Sequence, residues 1–138
     1  MQEELNKLVQ YANSNGYKVI FNSKVLKDYA GMNPEAAKDI GFPDIDGNSK
    51  TQEIIIDDGL PLETQVANLK HELTEVKLMR QGMVYWQAHE LALKSENEDF
   101  NYNAVIPNNT TNTIPFKKPK RMLKKKKHRV NKLTGFSF

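Results

Sequence analysis

The spacing of apolar residues between positions 62 and 76 constrains this chain more than any other feature. Leu62, Val66, Leu69, Leu73 and Val76 recur at steps of four, three, four and three, which is the period of an amphipathic helix. The pattern predicts a helix over 62–81, with Pro61 at its start and Gly82 at its end, where those residues are favoured. A second helical run covers 85–96, with Tyr85, Ala88, Ala92 and Leu93 as its packing face. Only Gly82, Met83 and Val84 separate the two runs, so they must form a helical hairpin. Its apolar stripe then needs a partner surface.

The partner is a short sheet. Residues 17–21 (Tyr-Lys-Val-Ile-Phe) alternate and are rich in β-branched and aromatic types, and residues 51–57 are built around Ile54-Ile55-Ile56; both read as strands. Leu5, Leu8, Val9 and Ala12 add a first helix over 3–14, closed by Asn15-Gly16. Residues 23–48 resist assignment, because Gly31, Pro34, Gly41, Pro43 and Gly47 interrupt every period. The fold class expected is α+β: a short sheet with an amphipathic helical hairpin packed on it, spanning residues 1–100. Residues 101–116 are Asn/Thr/Pro-rich and read as an irregular linker.

Charge divides the chain again. The 138 residues carry a formal net charge of +3, but 117–138 hold ten Lys+Arg and no acid, leaving ten bases against 17 acids before them. An acidic body of −7 therefore carries a basic tail of +10. Lys117, Lys118, Lys120, Arg121, Lys124, Lys125, Lys126, Lys127, Arg129 and Lys132 cannot be buried together, so the free tail is expected to be extended and to bind a polyanion. No aromatic residue interrupts 117–129, which favours contact with phosphates over reading of bases. The partner expected is nucleic acid or an acidic protein surface, with Phe136 and Phe138 available to anchor the end in an apolar groove.

The absence of Cys excludes a disulfide scaffold, a thiolate metal site and a cysteine nucleophile. No apolar run approaches the roughly 18–20 residues that span a bilayer, and Met1-Gln2-Glu3-Glu4 is acidic where a signal peptide is basic. A cytoplasmic or virion location is expected.

The chemically suggestive stretch is Leu69-Lys70-His71-Glu72-Leu73-Thr74-Glu75. His71 and Glu75 are four apart, one turn along one helix face, the spacing at which two ligands share a metal. Glu72 lies between them, where a general base could polarise a water at that metal. Both ligands fall opposite Leu69, toward whatever the second helix covers. On an antiparallel return from Val84, Glu96 comes level with His71, while His89, roughly 8 Å down the helix, comes closer to the height of Leu78 and Glu75. His89 would be a ligand only if the helices splay or cross steeply, and otherwise could support a ligand from behind.

This order of strand, Leu60-Pro61-Leu62-Glu63, His71-Glu72 helix and second helix with a late Glu resembles the zincin metallopeptidases. It is closest to the small gluzincin-like branch of phage and mobile-element proteins, which includes the immunity-repressor peptidases. The resemblance implies a zinc site with His71 and Glu96 as ligands and Glu72 as general base. This chain departs from the pattern at Glu75, which stands where the family's His-Glu-x-x-His has its second His, so the motif is a variant HExxE. A His-Glu-Glu site would acidify its water less, leaving either a variant centre or a decayed, inactive one.

Two other readings stay open. His71, Glu72 and Glu75 with Lys70 and Lys77 also fit a solvated face with local ion pairs. The chain also fits a non-enzymatic structural or packaging protein, such as a minor virion component, whose tail touches DNA or an acidic partner. Tyr85 and Trp86 read as packing residues, and Met79 and Met83 as gap fillers.

Overall fold

The computed structural model describes residues 1–24, 26, 29–40, 52–107, 130–131 and 136–137. Among these residues the architecture is α+β, a three-stranded sheet with four helices and a separate two-stranded pairing near the end. Helix α1 (Gln2–Ser14) ends where Gly16 takes a positive φ of 89° and donates its N–H to Asn13. That turn feeds strand β1 (Tyr17–Phe21), which pairs in parallel with β3 (Gln52–Ile56), Tyr17 opposite Gln52 and Phe21 opposite Ile56. Two short elements lie between them in the chain, β2 (Gly31–Met32) and α2 (Pro34–Ile40). β2 pairs antiparallel with the other side of β3, giving the order β1-β3-β2.

The hairpin forms as its spacing predicts. Helix α3 (Leu62–Arg80) and helix α4 (Tyr85–Ser95) are joined by a turn centred on Gly82. There Met83 N–H donates to Leu78 and Gly82 N–H to Met79, with φ 107° at Gly82. This is a Schellman motif, which uses glycine at the left-handed position to satisfy the last carbonyls. Pro61 stands at the start of α3 as its N-cap.

Side chains alternate across β3 and feed two cores. Ile54 and Ile56 pack with Leu5, Leu8, Val66, Leu69, Leu73 and Val76 from α1 and α3. Ile55 packs with Tyr29, Met32, Ala36, Met79, Tyr85 and Ala88. The first core continues beyond residue 100 to Ile106, 1% exposed. Residues 101–107 have no helix or strand, yet they are tied to the body: Tyr11 Oη donates to Ala104, Ile106 N–H to Asn15 Oδ1, and Arg80 Nε–H to Pro107.

The polar side of α3 is not a solvated face. Asn68, Lys70, His71, Glu72, Glu75 and Arg80 are buried along with its apolar stripe, because α4 and the β2–α2 segment cover the flanks the sheet does not. Buried charged groups need partners, and those partners make the site. The expected basic contacts at Lys117 to Lys132 and the linker at 108–116 lie outside the described residues, apart from a two-residue antiparallel pairing of β4 (Val130–Asn131) with β5 (Phe136–Ser137). No helix among the described residues is long and apolar enough to cross a membrane.

Candidate metal centre

Helix α3 supplies His71, Glu72 and Glu75, and α4 supplies His89. His71 Nε2 and His89 Nδ1 both lie 2.7 Å from one atom, Glu75 Oε2. His71, Glu75 and His89 form a cluster whose ligand atoms all lie within 4.8 Å of one another, and each residue is 4% exposed or less. The His71 and His89 rings meet edge to face at 4.9 Å, and Tyr85 stacks on His89 at 5.5 Å. Tyr85, expected as a packing residue, thus also stacks on a ring of the candidate centre.

The height argument for the return helix holds for both candidates on it. Glu96 is level with His71, and its Oε2 lies 2.7 Å from His71 Nδ1. His89 is level with Glu75. The Glu75 carboxylate stands between the two imidazoles, with its Oε2 in contact with both. The two nitrogens of an imidazole point apart, so Glu96, on the Nδ1 side, does not reach the cluster on the Nε2 side. The structure therefore brings together His71, Glu75 and His89, and places Glu96 behind His71 as the carboxylate that orients the ring.

Glu72, 1% exposed, points into the β2–α2 segment. Its Oε1 accepts from Asn33 Nδ2 at 2.8 Å, and the same amide donates to Glu75 Oε1 at 3.0 Å. Asn33 escaped the sequence reading. Its one signal was the Asn33-Pro34 pair, a helix-start signature in a segment too interrupted to assign.

These groups suit a cation. A neutral imidazole carries one N–H, yet His71 has a carboxylate oxygen at both nitrogens. Both contacts are satisfied when the ring is protonated twice, when one of the two carboxyls keeps its proton and donates it, or when a cation takes the proton's place on the Nε2 side. Glu75 touches both imidazoles and Glu96 touches that of His71, with the Glu72 carboxylate sharing the Asn33 amide with Glu75, so a dication offsets charge that burial would otherwise leave costly. Two nitrogens and one carboxylate oxygen are a common donor set for a transition metal, and the triad can hold one.

No family model, curated protein or solved structure matches this chain.

Proposed function

We propose that the chain is a zincin-like metalloprotein in which His71, Glu75 and His89 hold zinc and Glu72 acts as general base in peptide hydrolysis. The observation that carries this reading is the convergence of His71 Nε2 and His89 Nδ1 on Glu75 Oε2, with Glu72 tied to the same Asn33 amide as Glu75. The departure at Glu75 is offset in space: the second His comes from α4, so the donor set is again two imidazoles and one carboxylate, as in His2Glu zinc enzymes. Tetrahedral ligands about zinc stand roughly 3.3 Å apart, so the 2.7 Å contacts would open by about 0.6 Å to admit it.

Bound there, zinc would supply Lewis acidity toward a water and a substrate carbonyl. The protein's own part is to orient and to move a proton. Glu96 holds the His71 ring through Nδ1, and Tyr85 holds that of His89. Glu72, kept in place through Oε1, accepts the proton of the attacking water at its carboxylate and returns it to the leaving amine.

Metal analysis of the purified full chain tests the reading. Stoichiometric zinc is expected in the wild type and in Glu72→Gln, and its loss in His71→Ala and His89→Ala. Hydrolysis of a mixed peptide library is expected for the wild type and not for Glu72→Gln. A wild type free of zinc under zinc-replete conditions would remove the reading. One observation favours a second reading: the cluster is closed to solvent among the described residues, as a structural or inactive centre is. Zinc retained without hydrolysis would decide for that scaffold.

A further inference from the structure

Asn33 joins β2 to α2 and is fully buried. Its Oδ1 accepts from Ala36 N–H at 2.8 Å, which makes it the side-chain cap of α2, with Pro34 in the first helical position. That bond also settles which way the amide faces. Turned over, it would set a donor against the Ala36 N–H and an acceptor against two carboxylates. Nδ2 therefore faces Glu72 Oε1 at 2.8 Å and Glu75 Oε1 at 3.0 Å, and an NH2 group has one hydrogen for each.

The division of labour on Glu75 is the informative part. Oε2 meets the two imidazoles, and Oε1 is taken by Asn33. Glu75 so held offers a metal one oxygen, not two. Gly31, two residues earlier, completes the seat: a Cβ there would fall 2.9 Å from Glu72 Oε2, so a side chain at this position would force that carboxylate to shift.

We propose that Asn33 is the positioning residue of this centre, holding Glu75 to a single ligand oxygen and Glu72 beside it through one shared amide. The inference rests on His71, Glu75 and His89 holding a metal. It implies that the β2–α2 junction, and not the hairpin alone, sets how many oxygens Glu75 gives the metal.

Asn33→Ser and Asn33→Asp test it, since both residues can still cap α2 and neither carries an amide donor. Zinc affinity and the visible spectrum of the Co2+-loaded protein are the readouts. Four-coordinate Co2+ absorbs strongly in the visible and loses intensity as its coordination number rises. Helix content by circular dichroism should match the wild type, zinc should bind Asn33→Ser about 10–100-fold more weakly, and the Co2+ bands should weaken in both variants as Oε1 of Glu75 is released. Variants whose zinc affinity stays within about threefold of the wild type, well below that range, with unchanged Co2+ bands, overturn the proposal. Loss of helix content in step with loss of metal assigns Asn33 to capping alone and also overturns it. A wild type that takes up neither zinc nor Co2+ overturns the metal reading together with this inference.

Discussion

Glu75 has its two oxygens in different roles, and both are buried. Oε2 lies against His71 and His89, and Oε1 accepts from Asn33. Replacing it by Ala leaves three polar groups facing a cavity, which is the circumstance in which breaking a buried network costs most. We expect Glu75→Ala to destabilise the metal-free protein by about 3–5 kcal/mol, measured by urea denaturation, and to abolish zinc uptake. Gly31 offers a complementary test of crowding. Gly31→Ala should cost about 1–3 kcal/mol by overpacking against Glu72, and that cost should shrink when Glu72→Ala is made first. Additive costs in this double-mutant cycle would place the strain elsewhere. Neither Glu75's double use nor Asn33's is visible in the sequence, because both depend on which oxygen faces which neighbour.

At the scale of elements, the sequence was legible where a period had room to repeat. α1, α3 and α4 each run three turns or more, and β1 and β3 five residues each, so their spacing shows. β2 is two residues long and α2 seven, too short for periodicity, and they supply the half of the site that was missed. His71, Glu72 and Glu75 could be picked out by their spacing on one helix, whereas the exchange of His89 for Glu96 in the cluster needed the reach of the Glu75 side chain. Core positions of α3 follow simpler rules: Leu69→Ala or Leu73→Ala, fully buried between sheet and hairpin, should cost about 2–5 kcal/mol in thermal or urea unfolding. The last turn of α3 predicts a pH effect. Burial pushes the Tyr17 hydroxyl up to about 12, against the lowering influence of Arg80 and with a smaller raising one from Glu35. The unfolded chain then loses this proton near pH 10 and the folded chain only near 12, so stability present below pH 10 falls as pH rises through that window. Tyr17→Phe should have a shallower fall in unfolding midpoint between pH 10 and 12 than the wild type; equal slopes would mean that Tyr17 titrates alike in both states.

At the scale of the whole molecule, charge is divided unevenly along the sequence, −7 over residues 1–116 and +10 over 117–138. The body of −7 repels a polyanion, so any affinity for nucleic acid must come from the ten bases of 117–138. If the tail neutralises about six phosphates, the logarithm of the binding constant falls with that of salt at a slope of about −5, a loss of about a thousandfold between 50 and 200 mM salt. Such binding is blind to sequence, because charge on flexible stems meets the backbone and not base edges. We therefore expect the full chain to bind mixed-sequence duplex DNA with that slope, in electrophoretic or fluorescence-anisotropy titrations, and equally well for unrelated sequences. Removal of residues 117–138 should abolish it while leaving zinc content and the unfolding midpoint of the body unchanged. Binding that survives the truncation, or a slope near zero, would move the contact onto the body and remove the tail's proposed role. Binding to an acidic protein in place of DNA would keep the electrostatics and support the packaging alternative over the docking of a peptidase to nucleic acid.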